Sequence, residues 1–417
     1  MRKPLVLLGI CLVLASLLFS PLMAGLLYGA PASEVPVLSP RLEEALAAGV
    51  ENLRVIVWFR HHTTLEERMT ELALRILGLE NRGATTVASG PRLMFSVCQV
   101  SRENVRRLLE VPDVKFVDLD FPVSVPESPP TGAWFLTVDE IAELVDVSAL
   151  PGDGRGVDVF VLDTGAPPGV ELASAVTFVG GDPYDHFGHG SAVIGIIRRL
   201  APGARIHSVK VLGDRGDGSA SDILRGLEWV VRQPGEKKIV NASLGAQDSF
   251  ICSLKEGFTS ATVEWGVDAV AAAGNEPDKP LSPSTAVLVC GVGAVGADNR
   301  LTEYSARDFD VVSYGNQVCA LGPLEGREIR GTSFASPVVT ALAARYMSSI
   351  KGGTKQVNLA ETLKRGSVRT PEGHRLVTAS ALEGTPPVPE AAALPTVLFW
   401  PLFLSGAALV IAGALSR

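Results

Sequence analysis

The sequence predicts an α/β protein: a mostly parallel sheet covered by helices on both faces, with a smaller α+β unit ahead of it. Three observations carry this. Apolar runs at 157–162, 206–212, 239–244, 267–273 and 287–292 alternate with helix-like stretches at 189–199, 219–233 and 333–350. Strands covered on both faces read as continuous apolar runs, and their alternation with helices predicts parallel crossovers. Ahead of them, residues 37–125 show shorter elements in the order β-α-β-β-α-β, the pattern of a ferredoxin-like sandwich. At 417 residues, two or three folded units are expected.

The elements follow in chain order. Residues 4–30 carry no charge and come after Arg2 and Lys3. Residues 1–32 therefore read as a signal peptide or an uncleaved signal anchor. In the 37–125 unit, 53–59 has strand character. Thr64 with Glu67 forms a capping-box signature for a helix running to about residue 77. Residues 93–100 form another strand, Ser101 caps a short helix that stops at Val111-Pro112, and a last strand begins at 114. Only three of the four strands can be placed. Residues 126–133 (Pro-Glu-Ser-Pro-Pro-Thr-Gly-Ala) are an exposed linker. The large unit spans 134–383, and 384–390 is a stiff proline spacer. Residues 391–415 lack charge, and a transmembrane helix needs about 20 apolar residues. The basic residues flank both apolar ends, which puts both termini on the cytoplasmic side and everything between them outside.

Composition is that of an ordinary globular protein, 47% hydrophobic and 20% charged; the net charge of −8 argues against a nucleic-acid partner. Of five cysteines, Cys11 and Cys98 lie ahead of the large unit. Cys252, Cys290 and Cys319 remain, an odd number without close spacing, so one bridge and three buried thiols both stay open. No cysteine stands near a histidine in metal-ligand spacing, and no cofactor is expected, with calcium left open.

The chemistry lies in four segments. Asp163 ends the apolar strand Val-Phe-Val-Leu-Asp-Thr-Gly, His189 opens His-Gly-Ser, and Ser333 lies in Gly-Thr-Ser-Phe-Ala-Ser-Pro. Asn275 follows Ala-Ala-Ala-Gly. In parallel sheets the working site lies beyond the carboxyl ends of the strands. Asp163, Leu244 and Asn275 all fall at such ends. Gly331 permits a tight turn before the helix of Ser333, and Pro337 is read as part of that helix's first turn. A lone serine there would be an ordinary N-cap.

In the order Asp, His, Ser, these segments resemble the subtilisin-like serine proteases, over about residues 134–383. The resemblance implies a subtilisin-like three-layer fold. It gives Ser333 as nucleophile, His189 as base, Asp163 as its orienter and Asn275 as oxyanion donor. His189 and not His186 is the base, because it precedes Gly190-Ser191. Asp185, in a polar loop, and Asp310 are weaker competitors for the acid. Ser243, Leu244 and Gly245 on one side, and Gly216, Asp217 and Gly218 on the other, resemble strands that bind peptide main chain. The position of 37–125 matches the family's inhibitory propeptide, which the resemblance implies is cut from the rest between about Val123 and Ala133. Two features depart from the family: the usual calcium loop after the histidine helix is absent, and Leu281 stands where relatives often have glycine at the floor of the primary pocket. The expectation is a secreted, membrane-anchored serine endopeptidase made as an autoprocessed zymogen. Its partners are polypeptide substrates, its own propeptide and the membrane. A catalytically silent peptide-binding relative is the alternative. An aspartic protease would need a second Asp-Thr-Gly, an α/β-hydrolase a Gly-x-Ser-x-Gly, and the sedolisin group an Asp in place of Asn275.

Overall fold

The computed structural model describes residues 35–60, 64–126, 134–247, 252–350 and 358–388. Residues 1–34, 127–133 and 389–417 lie outside them. Both apolar terminal runs and most of the first linker therefore go undescribed. Among the described residues no helix is long and apolar enough to cross a membrane.

The strands of the N-terminal unit are β1 Val37–Leu38, β2 Asn52–Phe59, β3 Ala84–Gly90, β4 Phe95–Ser101 and β5 Val114–Leu119. They form a mixed five-stranded sheet in the order β1-β5-β2-β4-β3. The strand that the sequence leaves unplaced is β3. Its Ala-Thr-Thr-Val-Ala-Ser-Gly lacks a run of large apolar residues, since only its ends are buried. The short helix after Ser101 proves to be a 3-10 turn, Val105–Glu110. A further helix, Pro40–Ala47, is absent from the sequence reading. It starts at Ser39, whose hydroxyl accepts from Leu42 N at 3.2 Å.

In the large unit the strands are β7 Asp158–Asp163, β8 Ser174–Thr177, β9 Arg205–Lys210, β11 Lys238–Ala242, β13 Val267–Ala272, β15 Val289–Val295, β16 Val311–Tyr314, β19 Ser367–Arg369 and β20 Arg375–Val377. Among the described residues they form one nine-stranded sheet, β19-β20-β16-β15-β13-β11-β7-β9-β8. All neighbours run parallel except β19 and β20. The expected strand at 287–292 starts later because Leu288 has a φ of 63°, which no strand residue adopts. The alternation along each strand decides the layers. Val159, Val161, Ile239 and Val270 face the helices His189–Leu200 and Thr332–Ser349. Phe160, Leu162, Val240 and Ala269 face Ala220–Arg232 and Ser253–Val263.

That second face continues into the N-terminal unit. Ile56, Trp58, Phe95, Val97 and Phe116 join Leu224, Leu227 and Phe258 in one apolar cluster. Polar contacts fix the docking. Asp118 Oδ2 accepts from Ser253 N at 2.9 Å; Asp120 accepts from Ser221 N at 2.9 Å and Ser221 Oγ at 2.7 Å. Both carboxylates thus sit at the first turn of a helix in the other unit, where free N–H groups and the helix dipole favour them. In return Glu228 accepts from Arg92 N and Leu93 N. Burial nevertheless pushes the Asp118 and Asp120 carboxyls up from their ordinary value.

Two further differences concern chain ends. Pro337 is the sixth residue of its helix, not part of the first turn. The stretch read as a free spacer is docked as far as Val388. Val388 is 2% exposed, its N–H donates to Thr362 Oγ1 at 3.0 Å, and its carbonyl accepts from Asn358 N at 2.7 Å. The buried valine side chain and two backbone bonds outweigh the reluctance of its proline neighbours to pair.

Candidate active site

The site forms where β7, β11 and β13 end. Asp163 closes β7 and is fully buried. Its Oδ1 accepts from Thr164 N at 2.8 Å and lies 2.7 Å from His189 Nδ1. His189 is the first residue of its helix and is 3% exposed. Such a short contact to a carboxylate places the ring proton on Nδ1 and leaves Nε2 to accept. Nε2 is buried and has no hydrogen-bond partner among the described residues.

Gly190 makes this approach feasible. A Cβ there would lie 2.3 Å from Gly165 O, so any other residue would push the histidine helix off the end of β7. Asp185 then holds the helix in place. It is 3% exposed, and its carboxylate accepts from Thr164 Oγ1 (2.8 Å), Phe187 N (3.0 Å), Gly188 N (2.7 Å), Ser191 N (2.7 Å) and Ser191 Oγ (2.6 Å). Thr164 Oγ1 also accepts from Gly190 N at 2.9 Å. In the sequence Asp185 reads only as a polar-loop residue. The signal that finds it is an aspartate just ahead of a helix start. His186 is exposed and pairs with Asp182 at 3.2 Å. Asp310 pairs with Lys364 at 3.0 Å and accepts from Gly291 N.

Ser333 is the second residue of Thr332–Ser349 and is 2% exposed. Gly331, ahead of it, has a φ of 144°, and a Cβ there would lie 2.9 Å from Asn275 Nδ2. The helix therefore begins against the Asn275 amide. Asn275 Oδ1 accepts from Thr332 N at 2.9 Å and from Thr332 Oγ1 at 3.1 Å, which fixes the amide's orientation; Gly274 N donates to Thr332 Oγ1. The Ser333 hydroxyl donates to Ser243 O at 3.3 Å. Beneath it, Ser243 Oγ donates to the Ser333 carbonyl at 2.7 Å. That carbonyl is the one a helical N–H four residues on would take, and Pro337 has none to offer. Asn241, fully buried, supports this layer through Ser243, Ser336 and Thr340.

The remaining predicted residues flank the segment that leaves the N-terminal unit. This segment is β6, Pro122–Ser124, and it pairs antiparallel with β10, Asp217–Ser219. Val125 N donates to Gly216 O at 2.9 Å. On the other side Ser124 and Gly245 exchange bonds, N to O, at 3.5 and 3.4 Å. Leu244 is fully buried beside Val123 in the shared apolar cluster. Cys98, Cys252, Cys290 and Cys319 are free, buried thiols.

A doubly wound sheet with a buried Asp–His pair at its strand ends and a serine at a helix start is the arrangement of a serine hydrolase. The profile of the Subtilase family matches residues 154–378, and the chain belongs to that family of serine endopeptidases. Subtilisin-like protease 3 of Pseudogymnoascus destructans is 32% identical over 298 residues, covering 63% of this chain and 72% of that protein. The extracellular serine proteinase of Thermus sp. strain Rt41A is 29% identical over 306 residues, 66% of this chain and 71% of that protein. The crystal structure of fervidolysin from Fervidobacterium pennivorans is similar in fold, with a TM-score of 0.64 at 16% identity, over 85% of this chain and 63% of that one.

Proposed function

We propose that Ser333, His189 and Asp163 hydrolyse peptide bonds through an acyl-enzyme, and that the 37–125 unit is an inhibitory propeptide which the enzyme removes from itself. The buried 2.7 Å contact between His189 Nδ1 and Asp163 Oδ1 carries the reading, because it leaves Nε2 as a base with no competing partner among the described residues. The Ser333 hydroxyl, bonded in this state to Ser243 O, must turn toward Nε2 to be activated. His189 takes its proton as it attacks the carbonyl carbon, then gives that proton to the leaving amine. Asp163 stabilises the imidazolium in between. The Asn275 amide and the first N–H groups of the serine helix face the oxyanion. Water then repeats the sequence on the acyl ester.

The inhibitory role follows from β6. It lies between the strands that would bind a substrate's main chain, and it is covalently attached, so its effective concentration is high. The charge-free runs at residues 4–30 and 391–415 support display outside the cell with a membrane tether at the C-terminal run. A fluorophosphonate probe tests the chemistry: it should label the mature protein at Ser333 and spare His189→Ala. Equal labelling of both would remove the proposed triad. Recovery of the chain in the soluble fraction with residues 391–415 intact would remove the tether.

A further inference from the structure

We infer that the chain cuts itself after Pro126 and that its primary pocket takes only a compact residue, such as proline or alanine, with Leu281 setting the limit. The inference rests on the reading of Ser333 as the nucleophile of self-processing. Two independent observations support it.

The first is register. Ser124 and Gly245 face each other and exchange both hydrogen bonds, so the two segments run antiparallel. Counting on from that pair, Val125 falls opposite Leu244 and Pro126 opposite Ser243. Ser243 is the residue whose carbonyl accepts the Ser333 hydroxyl at 3.3 Å. The carbonyl that reaches the nucleophile is therefore that of Pro126. A neighbouring bond would miss by one strand step, about 3.3 Å, which is more than the attack geometry tolerates. Ser124 and Val125 are moreover held by Gly245 and Gly216. Proline also has no N–H to compete for the Ser243 carbonyl. In the step itself, Ser333 Oγ bonds to the Pro126 carbonyl carbon and the C–N bond to Glu127 breaks. The Ser333 proton passes through His189 to the new amine. Water then releases the Pro126 carboxylate and restores Ser333.

The second observation is the filled cleft beside that carbonyl. It runs between the segment Ser243-Leu244-Gly245 and the segment Ala273-Gly274-Asn275. Leu281 lies across it. A Cβ on Gly245 would sit 2.8 Å from Leu281 Cβ, and one on Gly274 would sit 3.0 Å from Leu281 Cγ. Its backbone is pinned on both sides. Leu281 N donates to Ala273 O at 2.9 Å, and the antiparallel pair of β12 (Ala246–Gln247) and β14 (Leu281–Ser282) sets Leu281 opposite Gln247. Leu281 is half-buried, and with its backbone held its side chain narrows the cleft between Gly245 and Gly274 against a long or aromatic substrate residue. Proline and alanine, which project little from the backbone, need no such space.

The test uses the full-length chain, purified without other proteases, with mass spectrometry and N-terminal sequencing of both fragments. The expected mature chain begins at Glu127 and the released propeptide ends at Pro126. A Ser333-dependent cut at any other bond overturns the register. Maturation of Ser333→Ala instead would overturn self-processing and with it the cut after Pro126, and a peptide assay would then test the pocket alone. That assay compares kcat/KM for peptides with Ala, Pro or Phe before the scissile bond. Ala and Pro should exceed Phe by about tenfold or more, since fit in an apolar pocket discriminates on that scale. Leu281→Gly should raise the Phe-to-Ala ratio by about tenfold, and the milder Leu281→Val should raise it by a smaller factor. A wild-type preference for Phe, or an unchanged ratio in a folded Leu281 variant, overturns the pocket assignment.

Discussion

Replacing Asp185 with alanine should loosen the catalytic histidine without touching it. The Asp185 carboxylate accepts five hydrogen bonds at 2.6–3.0 Å, three of them from backbone N–H groups at the start of the histidine helix. An unsatisfied buried donor costs about 1–3 kcal/mol, and losing a helix cap costs about 0.5–2 kcal/mol. Water entering the gap offsets part of this, so the net loss should be about 3–5 kcal/mol. For a unit of this size that lowers the melting temperature by about 6–20 °C. Turnover should fall by about 10- to 100-fold, because the helix that carries His189 can shift against the end of β7. Asp185→Asn keeps one acceptor oxygen and should fall between. Melting is best measured in a Ser333→Ala background, where self-digestion cannot distort it; turnover is measured on the active enzyme with a peptide substrate. Melting within about 2 °C of the parent together with turnover within twofold would refute the reasoning.

Other consequences can be checked with the same tools. His189→Ala should lose several orders of magnitude in kcat/KM, while His186→Ala, at an exposed ion pair, should stay near the parent value. Asn275→Ala should lower kcat by about 10²–10³, the scale typical of removing one oxyanion donor in enzymes of this family, with KM changed far less. Ending the chain just after Val388 should give a soluble, active enzyme. Ending it after Gly384 should give a less stable one, because the Val388 bonds to Asn358 and Thr362 are lost; equal thermal stability of the two would argue against docking of that stretch. Burial raises the Asp118 and Asp120 carboxyls above their ordinary 3.8 when the two units are docked. Docking then takes up protons, so their contribution is full below that value and is lost as pH rises through the raised values. The cleaved propeptide should therefore leave more slowly near that ordinary value than at neutral pH in a gel-filtration assay, and Asp118→Asn should flatten the dependence.

Apart from Val311–Tyr314, too short to stand out though fully buried, the central sheet could be read from the sequence because strands such as Asp158–Asp163 and Val289–Val295 are mostly apolar runs between helical stretches. The edges could not. Ser174–Thr177 and Ser367–Arg369 are short and half-exposed, and their identity as strands comes from the neighbour they pair with. The helix Ser253–Val263 was hidden for a different reason. Its N-terminal support is Asp118, more than a hundred residues away, and no local cap marks its start. At the site, the residues with motif signatures were visible from the order in which they occur. Asn241 was not, because Ser336 and Thr340 reach it from a helix far along the chain. Asp185 carried only the weak signal of an aspartate ahead of a helix start: four of its five bonds are local, and Thr164 alone is brought to it by another segment.

Pro337 shows how a missing atom can be put to use. One carbonyl in the serine helix is left without its usual donor, and that carbonyl belongs to Ser333 itself. The Ser243 hydroxyl occupies the place, and Ser243 is also the residue whose carbonyl receives the Ser333 hydroxyl. The two serines therefore grip each other through a pair of complementary bonds. The helix interruption is what lets a residue just past the end of a neighbouring strand hold Ser333 in place. A residue with an N–H at 337 would return that carbonyl to the helix and leave the Ser243 hydroxyl to Ser336 Oγ, 3.0 Å away. The helix would gain regularity, and Ser333 would lose its coupling to the segment that follows Lys238–Ala242.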